Sequence, residues 1–360
     1  LRYGVDLKER EEFTFSPVNF GVVLHAVIRE VCDEIKKNGE SYYLISEEKR
    51  REMVKRSVAA ITDIYQNSIL KDSSRNSFMI KRMEDLADRT VWAMGEQLKC
   101  GDFVPFVFEH KFNMEVGDGD RKQLMSGTID RVDICENGTD VYVRIIDYKT
   151  GKKDFNIVKT YYGIDIQLMV YMEAAMKLVA KMRPGKNVIP AGVFYYNISD
   201  PIVSATTESA EEIEDKIKGE LRLKGMVNSD KDIAEKMDNT EGTSLNIPVS
   251  RKADGGFDSR RSKVMNTEQF NILGRFVDVR AIDTADRIAG GDIRRSPYKD
   301  GQFSSCDRCP YGAVCGFSVD LPGCNYRKLK KFDDEVLWNN IKEGVDENGK
   351  KMDTGAEERD

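Results

Sequence analysis

The chain has 360 residues and a formal net charge of −6, with 62 acidic residues against 56 lysines and arginines. This length allows one large domain or two smaller ones. The acidic balance argues against a general nucleic-acid coat but not against a local basic groove. We expect neither a membrane span nor a secretory signal, because no apolar run is long enough. Seven cysteines in so long a chain do not suggest a disulfide scaffold, and clustered ones favour metal binding.

The N-terminal part is predicted to contain one helix. The chain begins at Leu1 without an initiator methionine, so we expect it to be the C-terminal part of a longer subunit. A helix is predicted from Pro17 with Ser16 as its N-cap, because a capping residue followed by proline is typical of a helix start. Gly21 and His25 share a face of this helix, and the glycine would let that face approach another element closely. Taken alone, His25 is more often a core histidine than a metal ligand.

The next segments are predicted to be helical and then extended. Apolar residues recur at helical spacing over residues 42–98, which predicts a helical insertion over the core. Residues 103–116 are predicted to form a strand. Glu109 is expected to face the same sheet surface as the hairpin that follows, and His110 the opposite surface.

Residues 127–151 are predicted to form a β-hairpin. The two strands begin and end with the sequences G-T-I-D-R-V-D and I-I-D-Y-K-T-G. Between them, the pair Asn137-Gly138 is the strongest short-range signal for a hairpin turn. A two-residue turn at these positions would place Glu136 opposite Thr139.

The same two-residue turn would bring charged side chains together on one face of the hairpin. It places Asp130 opposite Ile145, and because side chains two residues apart share a face, Asp147 and Lys149 would lie on the face of Asp130. Diagonal neighbours lie roughly 7 Å apart at Cβ, which is close enough for two carboxylates to bind one hard cation such as Mg²⁺. A shift of one residue would move Asp130 to the other face. A solvated surface hairpin is the alternative, but charges among so many apolar residues need partners or a metal.

After the hairpin, a helix is predicted over residues 165–181 and a strand over 189–198. Gln167 and Tyr171 lie one turn apart on one helix face, although a helix boundary and a core tyrosine would explain them equally well. The element order of helix, three strands, helix and strand predicts a mixed sheet with helices on both faces. Charged helices are predicted over 209–225 and 231–237, a polar loop over 242–259, a long helix over 267–289, and a flexible tail over 345–360.

A cysteine-rich segment follows the long helix. Cys306, Cys309 and Cys315 form a C-x2-C-x5-C run. Three thiolates at this spacing can surround one metal centre. A fourth ligand is missing from the run, and Cys324 is near enough to serve, although other ligands or a chance clustering would also explain the pattern.

Taken together, these motifs resemble the PD-(D/E)xK nuclease superfamily and its RecB-like group. The resemblance includes G-x-x-x-H at Gly21 and His25, G-x-I-D-R at 127–131, D-Y-K-T-G at 147–151, and Q-x-x-x-Y at Gln167 and Tyr171. Further markers at 195–201, 225–227 and 322–327 are similar to the C-terminal nuclease domain of the AddB-type member of AddAB helicase-nucleases. The resemblance covers nearly the whole chain, and the order and spacing of the motifs make the set specific.

The resemblance implies a fold and a domain organisation. It implies an α/β, restriction-endonuclease-like PD-(D/E)xK core with a mixed central sheet flanked by helices. The core would comprise residues 14–36 and 103–200, and the helical insertion residues 42–98. A C-terminal helical and cysteine-cluster region over 205–335 would complete a single nuclease domain of residues 1–344.

The resemblance also implies roles for the residues of the motifs. His25, Asp130 and Asp147, together with the backbone carbonyl of Tyr148, correspond to the ligands of Mg²⁺ or Mn²⁺. Lys149 corresponds to the catalytic lysine.

Three further residues receive roles from the same resemblance. Gln167 and Tyr171 correspond to a motif that supports the site and contacts DNA. Glu109 occupies the place of an additional acidic residue in many relatives.

The function implied is that of a Mg²⁺-dependent DNA exonuclease in a bacterial, cytoplasmic complex that processes double-strand breaks for recombination. Its substrate would be single-stranded DNA from unwound ends, and its partner the AddA-type member of the helicase-nuclease. We expect no ATP binding, because the sequence has no phosphate-cradling Walker loop. The alternatives are a catalytically silent DNA-binding or assembly module of the same fold, or a CRISPR-associated RecB-like nuclease.

Finally, the resemblance implies an iron-sulfur cluster. In the family a [4Fe-4S] cluster is held by the three late cysteines, here Cys306, Cys309 and Cys315, and by one early cysteine. That early cysteine precedes a stretch like the one beginning at Leu1, so we expect the fourth ligand upstream of this chain. The cluster is therefore expected to be absent or incomplete here, unless Cys324 substitutes.

Overall fold

The computed structural model describes residues 17–64, 74–116, 123–204 and 209–357. The predicted N-cap Ser16 lies outside these residues. Two compact units are present, one formed by residues 1–112, 127–155 and 171–267, and the other by residues 113–126, 156–170 and 268–360.

Three helices form one layer of the first unit. They are α1 (Pro17–Lys37), α2 (Glu47–Ile64) and α3 (Ser74–Lys99), so the helical prediction for 42–98 is confirmed over 47–64 and 74–98, whereas residues 65–73 lie outside the described part of the chain. In α1, the buried residues Leu24, Ile28, Val31 and Ile35 recur every three or four positions, which gives the helix one continuous apolar face. This face belongs to the same hydrophobic core as the sheet residues Ile146 and Phe194.

A mixed six-stranded sheet forms the other layer, and it confirms the predicted α/β fold. Its strands run in the order β1-β2-β3-β4-β5-β6, with β2/β3 and β4/β5 antiparallel and β3/β4 and β5/β6 parallel. Helices α4 (Ile157–Tyr161) and α5 (Gln167–Met182) lie in the connection from β3 to β4, because parallel neighbours need a long crossover. The strands are β1 (Val104–Val116), β2 (Gln123–Asn137), β3 (Asp140–Lys149), β4 (Asn187–Asn197), β5 (Lys224–Asn228) and β6 (Val264–Met265).

The turn of the β2–β3 hairpin differs from its prediction. Asn137 pairs with Asp140, so the two loop residues are Gly138 and Thr139 rather than Asn137 and Gly138. Gly138 adopts φ 61°, a left-handed conformation that favours glycine. The glycine therefore takes the first loop position, and Asn137 is the last residue of β2.

The strand register is shifted accordingly. Ile145 pairs with Val132 and not with Asp130, so the predicted pairing is wrong by two residues. Because the shift is even, every side chain stays on its predicted face. Continuing the observed register brings Asp130 directly opposite Asp147, closer than the diagonal arrangement that the sequence predicted.

A buried ionic network lies within the same hairpin. Arg131, Asp133 and Arg144 are each no more than 1% exposed. Arg131 donates hydrogen bonds of 2.7 and 2.6 Å to the two carboxylate oxygens of Asp133. Arg144 Nε, on the neighbouring strand, donates a hydrogen bond of 2.8 Å to Asp133 Oδ2. The Arg144 guanidinium also lies 4.8 Å from the ring centroid of Phe103. Asp133 thus joins β2 to β3 through charge-assisted hydrogen bonds.

One predicted helix ends earlier than expected. The sequence predicts a helix over 209–225, but α6 (Ala210–Glu220) is followed by β5, which begins at Lys224. The apolar residues Met226 and Val227 of β5 pair with Val193 and Gly192 of β4. Five residues are too few to show the alternating pattern of a strand, so the neighbouring charged helix dominated the prediction. The next helix, α7 (Lys231–Met237), has the predicted limits.

The second unit is built around α8 (Thr267–Ala289), which has the predicted limits, and α10 (Asp334–Glu357). The ring of Tyr161 stacks on Phe276 of α8 at a centroid distance of 5.6 Å, and Phe332 lies 5.5 Å from Tyr161. A small three-stranded sheet is formed by β7 (Tyr298–Asp300), β8 (Phe303–Ser304) and β9 (Arg327–Lys328), in the order β8-β7-β9. The short helix α9 (Gly312–Cys315) lies between β8 and β9 along the chain.

The last predicted segment overlaps a helix. Residues 345–357 belong to α10. Polar composition suits a helix as well as an irregular tail, and composition alone does not distinguish the two. Across the described ranges of the chain, no helix combines the length and apolar character needed to cross a membrane.

The buried network gives a first prediction. Asp133→Asn removes the charge that pairs with both guanidiniums, and breaking a buried ion pair by removing one partner costs about 3–5 kcal/mol. We therefore expect the free energy of unfolding, measured by urea denaturation, to fall by about that amount. Asp140→Asn, at the turn of the same hairpin, should cost about 0.5 kcal/mol or less. Equal effects of the two substitutions would contradict the structural role of Asp133.

Candidate active site

Three side chains with metal-binding chemistry meet beside the hairpin. His25 of α1, Glu109 of β1 and Asp130 of β2 each offer a ligand atom, and these atoms lie within 4.8 Å of one another. His25 Nδ1 is 3.4 Å from Asp130 Oδ1 and 3.5 Å from Glu109 Oε1. Among the residues that the structure describes, no other group of three His, Cys, Asp or Glu side chains is this close. The structure therefore brings together three residues that lie far apart in the sequence.

Glu109 reaches this group through an unusual backbone conformation. It has φ 46°, and within the described ranges it is the one non-glycine residue with a positive φ. This conformation is costly for a residue with a long side chain and persists only where the surroundings enforce it. It directs the carboxylate toward His25, as the prediction for Glu109 requires.

The two carboxylates make His25 a strong base. Burial lowers the pKa of His25, but the hydrogen bonds and negative charges of Asp130 and Glu109 outweigh burial and raise its pKa to about 10. The imidazole can therefore hold a proton between them. This site favours positive charge, whether from a proton or from a cation.

Asp147 and Lys149 form an ion pair at the end of β3. Asp147 is 2% exposed, and its Oδ2 lies 2.5 Å from Lys149 Nζ. Burial and the charge of Asp130 raise the pKa of Asp147 to about 6, although Lys149 and His25 act in the opposite direction. Two carboxylates close together in a buried place favour a bound cation, because it relieves their repulsion.

Tyr148 connects the two sides of the hairpin. Its backbone N–H donates a 2.6 Å hydrogen bond to Asp130 Oδ2, which fixes the carboxylate across the strands. Its ring lies edge-on to His25 at a centroid distance of 5.8 Å. Tyr148 therefore orients two of the predicted ligands, a role that the sequence did not indicate.

Sequence reasoning also missed Tyr195. This residue is fully buried and pairs with Asp147 in the parallel register of β3 and β4. Lys149 Nζ lies 5.5 Å and Lys153 Nζ 5.3 Å from its ring centroid, within the range of cation–π attraction. The only sequence signal was the Y-Y-N-I segment, which served as a family marker without a role.

The remaining predicted residues lie as follows. A Cβ on Gly21 would lie 3.6 Å from Thr150, so α1 closely approaches the end of β3, as predicted. Gln167 is the first residue of α5, and Tyr171 lies one turn further along. The Tyr171 ring lies 5.7 Å from that of Phe112. A Cβ on Gly127 would lie 2.8 Å from Phe112 and 3.2 Å from Tyr171, so a larger residue here would require the Phe112 ring to shift.

The four late cysteines are free thiols. Cys309 is exposed, and Cys306, Cys315 and Cys324 are half-buried. The Cys309 N–H donates to the Cys306 carbonyl at 3.1 Å, so the first two cysteines of the run lie on one turn.

The donor set at the hairpin fits a divalent metal ion. His25, Glu109 and Asp130 supply one nitrogen and two carboxylates, and Asp147 adds a third carboxylate on the same hairpin. Hard carboxylate ligands suit Mg²⁺ and Mn²⁺, and one imidazole is compatible with Mn²⁺ in particular.

Comparison with known proteins gives an independent result. A model described as the PD-(D/E)XK nuclease superfamily matches residues 1–316. Several relatives are named as the B-type component of an ATP-dependent helicase/deoxyribonuclease. One from Thermoanaerobacter sp. (strain X514) is 33% identical over 98% of this chain and 31% of the relative, and one from Caldanaerobacter subterraneus subsp. tengcongensis is 34% identical over 100% and 32%. One from Clostridium acetobutylicum is 33% identical over 97% and 31%. The chain therefore spans about a third of the length of these curated relatives.

The geometry predicts where a metal ion binds. Asp130→Asn should weaken Mn²⁺ binding by more than about tenfold, because even the loss of a residue that only orients a ligand costs 10- to 100-fold. Electron paramagnetic resonance of free Mn²⁺ measures this affinity directly. Asp140→Asn, an aspartate at the far end of the same hairpin, should leave the affinity unchanged. If both variants bind Mn²⁺ like the unmodified protein, the ion does not bind beside Asp130.

Proposed function

Since this chain belongs to the PD-(D/E)XK nuclease superfamily, we propose that it hydrolyses phosphodiester bonds of DNA with the help of Mg²⁺ or Mn²⁺. The resemblance that the short motifs indicated is confirmed by the family match and by the relatives' names. The observation that carries the proposal is the convergence of His25, Glu109 and Asp130 beside the Asp147–Lys149 ion pair.

The proposed metal ligands are His25, Asp130 and Asp147, with the backbone carbonyl of Tyr148, and Glu109 as an additional acidic ligand. A bound divalent cation would polarise a phosphoryl oxygen and lower the pKa of an attacking water. Asp130 is held for this role by the Tyr148 N–H, and burial keeps competing water away from Asp147. The hairpin thus orients Asp130 and Asp147 before a metal ion binds.

Lys149 is the proposed catalytic lysine. Attack on a phosphodiester adds negative charge to a group that is already anionic, so a nearby ammonium stabilises the transition state. Asp147 lies 2.5 Å from Lys149 Nζ and Tyr195 lies 5.5 Å away, and both hold the ammonium beside the proposed ligands. From this position Lys149 can also orient the attacking water.

Gln167 and Tyr171 are proposed to support the site from α5. Tyr171 packs against Phe112 and beside Gly127, three residues before Asp130. Tyr171 would therefore act indirectly, by positioning the part of β2 that carries Asp130. For Gln167 the proposed role rests on the resemblance alone.

The relatives' name supports a setting for this activity. The words ATP-dependent helicase/deoxyribonuclease describe a protein that combines strand separation with DNA cleavage. We propose that this chain is the nuclease part of such a protein, acts as an exonuclease on single strands from unwound ends, and assembles with the AddA-type partner of the helicase-nuclease. A cytoplasmic location in a bacterium would follow from a chromosomal substrate.

The test of the proposed activity is a cleavage assay on end-labelled single-stranded DNA with Mg²⁺ or Mn²⁺. Lys149→Ala should abolish cleavage, because the transition state loses its nearest ammonium. Mn²⁺ affinity should persist, since Lys149 is not a ligand. Lys186→Ala, whose ammonium contacts the Gly138 carbonyl at the far end of the hairpin, should cleave normally. Wild-type cleavage by a clean preparation of Lys149→Ala would exclude this site as the catalytic centre. Absence of cleavage by the unmodified protein would instead favour the silent DNA-binding module.

We also propose that Cys306, Cys309 and Cys315 hold a [4Fe-4S] cluster in the intact protein, with the fourth ligand upstream and Cys324 as a weaker candidate. Three soft thiolates are the donor set that such clusters use, and the Cys306–Cys309 turn brings two of them together. In the full-length protein prepared without oxygen, Cys309→Ser should lower iron and acid-labile sulfide together. Cys100→Ser, in the same chain but outside the run, should leave both unchanged. If Cys309→Ser retains the full content of both, the run does not bind the cluster.

A further inference from the structure

A large cleft adjoins the candidate active site within the first unit. It encloses about 1270 Å³ and begins at Thr150 and Gly151, directly after Lys149. Residues of α3, of the segment after β4 and of β5 complete its walls. Pockets for small molecules measure roughly 300–1,000 Å³, so this cleft is large enough for a segment of a polymer.

The charge of the cleft is opposite to that of the chain. Nine lysines and arginines but only four acidic residues line it, whereas the whole chain has a net charge of −6. A concentration of cations in a concave surface raises the local potential more than the same charges spread over a flat surface. The cleft therefore attracts an anionic ligand although the protein as a whole is acidic.

Several of these cations lack an acidic partner. Within the described part of the chain, no carboxylate lies at ion-pair distance from four of them, and of these Lys224 is half-buried. Cations that share a cleft without acidic partners favour the binding of an anion. The four residues are Arg82, Lys152, Lys224 and Arg261.

Other parts of the cleft wall are fixed by the protein itself. Arg222 Nε donates a 2.7 Å hydrogen bond to the Ile247 carbonyl, and Asn197 binds both the N–H and the carbonyl of Lys153 at 2.9 and 3.0 Å. The guanidinium of Arg222 and the backbone of Lys153 are therefore held in place before any ligand arrives.

The cleft also carries an exposed aromatic side chain. Phe78 of α3 lines it and is 66% exposed, which is unusual for a phenylalanine. A groove with cations along its walls and an accessible aromatic ring is typical of proteins that bind unpaired nucleic-acid strands. Bases can stack on such a ring only when they are not already paired in a duplex.

Tyr195 connects one cation of the cleft wall with the candidate active site through a shared ring contact. Lys153 lies in the cleft wall, and Lys153 and Lys149 both approach the ring of Tyr195, at 5.3 and 5.5 Å. A backbone phosphate bound at Lys153 would thus lie next to the lysine proposed for catalysis.

From these observations we propose that the cleft binds the sugar-phosphate backbone of a single DNA strand and leads that strand to Lys149. The proposal rests on the proposed function for the identity of the ligand. Arg82, Lys152, Lys224 and Arg261 contact phosphates, and Phe78 stacks on a base.

The test measures binding apart from cleavage. A fluorescein-labelled oligothymidylate of about 12 nucleotides, within the site sizes of known strand-binding folds, is titrated with the intact chain in EDTA, and its fluorescence anisotropy is followed over a range of salt concentrations. The test variant carries Arg82→Gln and Lys152→Gln, two exposed residues whose exchange should not disturb the core. The matched control carries Lys37→Gln and Lys55→Gln, two exposed lysines of α1 and α2 outside the cleft.

Each lost phosphate contact on a single strand lowers the slope of log K against log salt by about 0.7. The cleft variant should therefore lose about 1.4 in slope and, at roughly 0.15 M salt, about tenfold in affinity, while the control variant keeps both. Phe78→Ala should weaken binding of the single strand by about tenfold without changing the slope, and a duplex of the same sequence should bind more weakly to the unmodified protein.

Two results would overturn the proposal. One is equal affinity and slope for the cleft and control variants. The other is a duplex that binds more tightly than the single strand. Failure of the proposed nuclease activity appears separately, as the absence of metal-dependent cleavage by a protein that still binds the strand in EDTA.

Discussion

The antiparallel pairing of β2 with β3 determines where the important charges of this protein lie. Asp133 and Arg144 are direct partners across the two strands, and their buried hydrogen bond ties the strands at this register. The tight turn that begins at Gly138 allows the same register. With the register fixed, strand alternation brings Asp130 opposite Asp147 on one face and leaves the Arg131–Asp133 pair on the other.

The hairpin therefore carries two ionic groups with different roles, one on each face. On the face that packs against α1, two arginines share one aspartate, all fully buried, and this group stabilises the fold. On the other face, Asp130 and Asp147 repel each other, and Lys149 compensates only part of their charge. The raised pKa of Asp147 shows that burial and repulsion outweigh the stabilisation by Lys149 and His25. The ionic group that stabilises the fold and the group proposed for catalysis therefore lie on opposite faces of the same hairpin.

Much of this arrangement could be predicted from the sequence, because it depends on local patterns. The helix limits at Thr267–Ala289 followed from apolar spacing and the glycine pair that ends the helix, and those at Lys231–Met237 from a charged helical pattern. The face shared by Asp130, Asp147 and Lys149 followed from period-two alternation. The exact register did not follow, since Asn-Gly can occupy different positions relative to the turn.

Contacts between distant segments were the least predictable. The cation–π contacts of Tyr195 depend on the parallel pairing of β3 with β4, and no local pattern specifies that register. The positive φ of Glu109 is likewise imposed by its surroundings. The short strand β5 was not predicted, because its few apolar residues show no pattern of their own and form a strand only by pairing with β4. The Arg131–Asp133–Arg144 network had a signal that went unused: charges on both faces of an otherwise apolar hairpin require partners on both faces.

The distribution of charge over the chain would allow an acidic protein to act on a polyanion, as proposed. At physiological salt, charges more than about 8 Å apart are largely screened, so the net charge of −6 has little effect inside a cleft lined by nine lysines and arginines. Along the proposed path, attraction by Lys152 and Lys153 of the cleft would give way to repulsion at Asp130 and Asp147 beyond it, so an approaching phosphate would be held near Lys149. A strand bound along the proposed path would therefore present a phosphate beside Lys149, next to Asp130 and Asp147, the residues proposed to hold a divalent cation.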